Sequence, residues 1–369
     1  MINIKKERQS NLELLRIFSM ILIVMHHYAI HGGFDVIDMQ FNFNKEVIRF
    51  FTFGGKLGVN LFIMISGYFL IKSKFKKKNL LRLWITTTFF SIICMLPFLK
   101  NDLVNNIIFL KLLLKSLFPI CYNMWWFVTT YFIMYLLSNY INYFIYNIGK
   151  LKLKKLITAL VLIFSILPTF FRMSIEVSNL LWFILIYFIG AYIRLYLNDN
   201  QYKLCRYSLI IGIVIYLFSF MSCIIFDYIG QFIPIFTSYA TYFSGMTTPT
   251  MLLSCIFLFI GFKNLNVKYN KIINKVGSAT FIVYLIHDNF FIRPYLWETL
   301  FKNSLYQNSN FLIFHAIGSV VIVYVVCTVI GILYNSYVER YLEKIAIKLL
   351  NKLKKTKIHK LLYIINNDE

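Results

Sequence analysis

Apolar runs of near-membrane length punctuate this chain at about 12–30, 53–71, 83–99, 124–146, 156–171, 179–197, 207–226, 242–262, 277–296 and 312–334. A helix needs about 20 mostly apolar residues to cross a hydrocarbon core about 30 Å thick. Short polar intervals separate the runs, and some of these are rich in lysine. The pattern predicts an all-α polytopic membrane protein with about ten transmembrane helices. The stretch 103–118 departs from it. Asn105, Asn106, Lys111 and Lys115 interrupt its apolar residues and Pro119 ends it. An amphipathic helix lying at the interface is expected there.

Composition supports this class. Of 369 residues 59% are hydrophobic, and a mean hydropathy of +0.68 is beyond what a soluble domain needs. The formal net charge of +23 raises nucleic acid as a partner, but the placement of the charges argues against it. With the N-terminus inside, the inner segments carry 28 Lys and Arg and the outer segments nine. That asymmetry is the positive-inside bias, so both termini are expected in the cytoplasm and the positive charge faces anionic lipid headgroups. Residues 1–340 then form a single transmembrane domain, and 341–369 a basic cytoplasmic tail. The first apolar run lacks a small-residue cleavage site after it and is expected to stay as a helix. Cys94, Cys121, Cys205, Cys223, Cys255 and Cys327 lie in or beside apolar runs without C-x-x-C spacing. They suit packing better than disulfides or metal.

Chemistry concentrates in the first run, which holds Glu13, Arg16, His26, His27 and His31. Ionisable groups inside a membrane are costly and mark function by default. Arg16 and His27 are eleven residues apart, about 20° past three full turns, so they share a helix face and lie about 16 Å apart along the axis. Glu13 and His31 fall on the same face. His26 points about 100° away, which suits packing. The ninth run places His287 near its middle, with Asp288 beside it and Arg293 near its outer end. Two deep histidines favour one shared polar cavity. Gly54, Gly55, Gly58, Ser66 and Gly67 allow close helix contact in the second run. Lys72, Lys74, Lys76, Lys77 and Lys78 follow it, as a stop-transfer anchor or a phosphate-binding patch. Trp125 and Trp126 fit an aromatic belt or a platform for a sugar ring. Walker, dinucleotide, H-E-x-x-H and G-x-S-x-G patterns are absent from the sequence.

In these residues the chain resembles the membrane-bound acyltransferase family 3, which includes polysaccharide O-acetyltransferases. The likeness covers nearly the whole length. It rests on Asn11-Leu12-Glu13-Leu14-Leu15-Arg16, on Arg16 and His27 with ten residues between them, and on Gly58-Val59-Asn60-Leu61-Phe62 through Ser66-Gly67-Tyr68. Trp126-Phe127 with Tyr131, and the block Thr280 to His287, complete it. The resemblance implies a multi-pass enzyme of the bacterial plasma membrane that moves an acyl group, usually acetyl, from cytoplasmic acetyl-CoA to a sugar hydroxyl. The acceptor would be a cell-surface glycan or its lipid-linked precursor. No metal, and no partner beyond membrane lipid, acyl-CoA and the acceptor, is implied. His27 would be catalytic and supported by Arg16. Many members carry Arg-x-Arg after the second helix, where this chain has Lys72-Ser73-Lys74. Charge is kept there, but not the planar fork that arginine offers a phosphate.

Acyl transfer from a thioester to an alcohol needs a base for the hydroxyl proton and a donor for the developing charge. An imidazole titrates near physiological pH, so His27 suits the base. Arg16 would hold a CoA phosphate or stabilise charge, with Glu13 orienting it. Lys72, Lys74, Trp126, His287 and Arg293 would contact substrate. The competing class is a transporter or flippase, which would also use intramembrane charges. The sequence shows no internal repeat and no matched Gly/Pro-broken helices.

Overall fold

The computed structural model describes residues 8–98, 106–171, 173, 177–198 and 203–354. Among them there is no strand. In chain order the helices are α1 (Ser10–Ile30), α2 (Phe43–Phe53), α3 (Gly55–Leu70), α4 (Lys77–Met95), α5 (Asn106–Leu117) and α6 (Trp126–Val161). There follow α7 (Leu167–Phe171), α8 (Asn179–Tyr196), α9 (Ser208–Gly230), α10 (Ile235–Tyr239) and α11 (Pro249–Asn264). The last are α12 (Lys271–His287), α13 (Ile292–Pro294, a single turn), α14 (Leu312–Leu333) and α15 (Glu339–Lys354). Local signals explain several starts. The Asn42, Ser178 and Asn270 side chains accept first-turn N–H groups of α2, α8 and α12. Pro249 opens α11, where a missing N–H costs nothing.

Helix α1 is the centre of the bundle. It packs against α2, α3, α11, α12 and α14, burying Leu12, Leu15, Ile23, Val24 and Tyr28. Gly58 of α3 lies against the Ser19 carbonyl of α1, and Gly67 against the Tyr187 carbonyl of α8, so the expected small-residue contacts form. On the periphery, α6 and α9 turn Tyr140, Tyr143, Ile210 and Phe218 outward. An apolar exterior is what a lipid solvent requires.

Eight helical segments among the described residues are long and apolar enough to cross a membrane, against about ten expected. The difference has two sources. The fourth and fifth runs fall in one 46-residue segment, Trp126–Phe171. At 1.5 Å per residue that would be about 69 Å, twice a hydrocarbon core. Its path breaks at Gly149, with φ 71° and ψ 176°. Nothing lies within 4 Å of a Cβ built there, so the positive φ and not packing calls for glycine. The ninth run forms α12, which stops at His287 after 17 residues, about 26 Å. The Asp288 N–H caps it on the Tyr284 carbonyl.

The interfacial stretch forms α5, with Phe109, Leu110, Leu114 and Leu117 exposed; residues 103–105 lie outside the described residues. Helix α15 runs across the expected boundary at residue 340. Glu339 pairs with Arg82 of α4, and Glu343 Oε2 with Lys78 Nζ at 3.0 Å. Tail residues 355–369 lie outside the described residues, as do Lys5, Lys6, Lys100 and Arg172 of the charge count.

Two charges of the outer count, Lys45 and Arg49, are buried. Arg49 donates to both oxygens of Asp227, at 2.8 and 3.1 Å, and Lys45 Nζ lies 3.3 Å from the same carboxylate. Asp227 is 1% exposed and belongs to α9, so these ion pairs bolt α2 to α9. Removing one partner of a buried pair strands the other charge, at about 3–5 kcal/mol. Asp227→Ala should therefore lower the thermal unfolding temperature of the purified protein sharply. A melting curve indistinguishable from wild type would show that Lys45 and Arg49 find other partners.

Candidate active site

Helices α1 and α12 run the same way and meet at both ends. At the first end, Asn270 N–H donates to Ser10 Oγ, which donates in turn to Asn274 Oδ1 at 3.0 Å. The buried Glu13 carboxylate lies against Gly277, where a Cβ would come within 2.5 Å of Oε2. Glycine is thus required for this approach. Arg16 Nη1 donates to Glu13 Oε1 at 3.0 Å, and Arg8 stands 3.8 Å from the same oxygen. At the other end His27 meets His287, with 2.9 Å between Nδ1 of the first and Nε2 of the second.

The hydrogen bonds assign the protons of this pair. His287 Nδ1 lies 2.6 Å from the Val283 carbonyl, which can only accept. In the neutral ring Nδ1 therefore carries the hydrogen, and Nε2 has a lone pair. His27 must then donate from Nδ1 to His287, leaving its own Nε2 as a base. Asp288 Oδ1 is 3.8 Å from His27 Nδ1 and 3.9 Å from His31 Nε2, and accepts from Arg293 Nη1 at 3.1 Å. The carboxylate stands ready to offset positive charge on His27. This is the logic of a base oriented by a second group.

One cavity of about 670 Å³ joins the two ends. Arg8, Arg16, Asn79, Arg82 and Glu339 line the first, and His27, His31, Asp288 and Arg293 the second. Phe127, Tyr131, Tyr284 and Trp126 line the cavity between. Lys56 Nζ stands 5.3 Å from the Trp126 ring centroid, so this ring faces a cation in the cavity, while Trp125 is fully buried. His26 reaches the wall, but its Nδ1 is held 2.5 Å from the Thr52 carbonyl of α2.

The sequence-derived candidates thus separate. Arg16, His27, Trp126 and Arg293 line the cavity together. Glu13 lies behind Arg16 and His287 behind His27, each one hydrogen bond from the wall. Lys72 and Lys74 are exposed in the turn after α3 and do not line the cavity; Arg8 and Arg82 take that place. Asp288, Lys56 and Arg82 were not among the candidates. Adjacency to His287 is the signal for Asp288, while Arg82 reads as one more interfacial charge until α4 is folded against α12.

His27, His31 and Asp288 bring three possible metal-ligand atoms within 4.8 Å of one another. Arg293 already occupies the Asp288 carboxylate and would repel a cation, and His27 directs Nδ1 to His287. The donor set fits proton handling better than a metal.

Fold and site define a polytopic membrane protein with a buried histidine pair beside a cavity that follows its central helix. The acyltransferase-domain model of family 3 matches residues 9–334. The chain belongs to the membrane-bound acyltransferase family 3 and is a membrane acyltransferase. No curated protein and no solved structure matches it.

The hydrogen-bond order predicts that His27 and His287 are both protonated at Nδ1 in the resting protein. Nitrogen-15 NMR of histidine-labelled protein, assigned with His27→Gln and His287→Gln, reads this directly. A resting His287 protonated at Nε2 would reverse the order and remove His27 as the oriented base.

Proposed function

We propose that this protein is an integral membrane O-acetyltransferase. It takes an acetyl group from cytoplasmic acetyl-CoA and delivers it to a hydroxyl of a cell-surface polysaccharide or its lipid-linked precursor, in the bacterial plasma membrane. The observation that carries this reading is a single cavity with arginines at one end and the His27–His287 pair at the other. The two residues on α1, Arg16 and His27, are about 16 Å apart along the helix, a span that suits a long donor entering thioester first.

At the basic end, Arg8, Arg16 and Arg82 offer planar forks to the donor phosphates. Lys72 and Lys74, exposed on the same side of the bundle, raise the local concentration of an anionic donor. At the other end the acceptor hydroxyl gives its proton to His27 Nε2 as its oxygen attacks the thioester carbonyl. The tetrahedral oxyanion collapses, the C–S bond breaks, and the departing CoA thiolate takes the proton back from His27. Asp288 compensates the imidazolium in between, and His287 keeps the ring in register. Lys56 is the cation available to the oxyanion.

Transfer of labelled acetyl from acetyl-CoA to purified surface polysaccharide tests the reading. His27→Ala should lower the rate by about 10²–10⁴-fold, the usual worth of a general base. His26→Ala, at equal membrane expression, should stay within about tenfold of wild type, because that ring is tied to Thr52. Loss of transfer in His26→Ala alone would show that the wrong face of α1 was assigned. Arg82→Ala should raise KM for acetyl-CoA about tenfold. A transporter would bind its cargo and label no acceptor.

A further inference from the structure

Beyond the histidine end of the cavity, an open groove of about 530 Å³ lies between the end of α4 and the segment that follows α12. It shares His31 and Arg293 with the cavity described above, so the two spaces border on the same side chains. Phe98, Phe291 and Tyr295 form its aromatic wall. The Phe98 and Phe291 rings stack at 6.0 Å and 26°, and Tyr295 meets Phe98 edge-on at 6.0 Å. Arg293 and Glu298 supply its polar groups.

We propose that this groove is the acceptor subsite and that its occupant is a pyranose ring; the assignment rests on the O-acetyltransferase reading above. Sugars present two kinds of surface at once. The axial C–H groups form an apolar, weakly positive face that complements the negative face of an aromatic ring. Vicinal hydroxyls at the edge are matched by a guanidinium or a carboxylate, each able to make paired hydrogen bonds. The groove offers both kinds. Tyr295 is 47% exposed, leaving ring surface for a ligand. Glu298 makes no ion pair among the described residues, so its oxygens are available.

The groove is also built in place. Trp297, fully buried, anchors the same segment with its ring edge-on to Tyr28 of α1 at 5.8 Å. The Arg293 N–H is fixed by the Asn289 carbonyl at 2.8 Å. Rings that only anchored a protein in the membrane interface would spread around its girth. These converge on one concavity beside His31, and Arg293 links it through Asp288 to the side of His27. A sugar seated here would place a hydroxyl toward the base while the rest of the glycan stays outside the bundle.

The test uses full-length protein in lipid nanodiscs, with short neutral and uronic-acid oligosaccharides as probes and saturation-transfer NMR as the readout. Wild type should bind at least one of them through ring C–H protons. Tyr295→Ala and Glu298→Gln should each weaken that binding about tenfold, while Tyr295→Phe, which keeps the ring, should stay within about threefold. Acetyl-CoA binding by the same variants reports that they are folded. Equal sugar affinity in wild type and Tyr295→Ala would overturn the groove assignment, and so would a wild type that binds acetyl-CoA but none of the sugars. Acetyl transfer with an acceptor KM that Tyr295→Ala leaves unchanged overturns the groove alone. Ring-dependent sugar binding without any acetyl transfer supports the groove as a sugar site and overturns the transferase reading.

Discussion

Two imidazole rings meeting across α1 and α12 constrain the rest of the molecule. Their 2.9 Å hydrogen bond fixes the ring of His27 only while the two helices stay in close register. That register is held at the opposite end, where Glu13 rests against Gly277 and Ser10 binds Asn270 and Asn274. Side chains that look catalytic and side chains that look structural therefore serve one purpose. Glu13 is both the partner of Arg16 and the spacer that sets the helix pair.

The same constraint explains how so many charges sit inside an apolar bundle. Each is neutralised or held where the structure needs it. Asp227 carries Lys45 and Arg49, Glu13 carries Arg16, and Asp288 carries Arg293 while facing two histidines. A charge left without a partner in such surroundings would cost several kcal/mol. The cavity keeps to the same rule: it is a polar path bounded by Arg8 and Arg82 at one end and by Arg293 at the other, and each of these stands beside a carboxylate, of Glu13, Glu339 and Asp288 in turn.

Much of this was legible in the sequence, and the physical reasons are uneven. Helical periodicity placed Arg16 and His27 on one face, and both do line one cavity. It also turned His26 aside, toward the Thr52 carbonyl. Hydropathy located the helices but not their breaks. A window average does not register the backbone turn at Gly149, nor the cap at Asp288 that ends α12. His287 was visible as a deep histidine, but its place behind His27 depends on the crossing of α1 and α12, which no local pattern encodes. Lys72 and Lys74 had the right charge and the right segment, yet the cavity ends at Arg82, brought there by the packing of α4. The groove beside His31 is assembled from residues 98 and 291–299 and has no signature in either stretch alone.

The central claim is that His27 is the base through which this chain decorates a surface glycan. The most direct measurement is proton NMR of the surface polysaccharide from cells that lack the protein, carry it, or carry His27→Ala at equal membrane levels. An O-acetyl signal present only with the wild-type protein is the predicted result. An undiminished O-acetyl signal in the His27→Ala cells would contradict it.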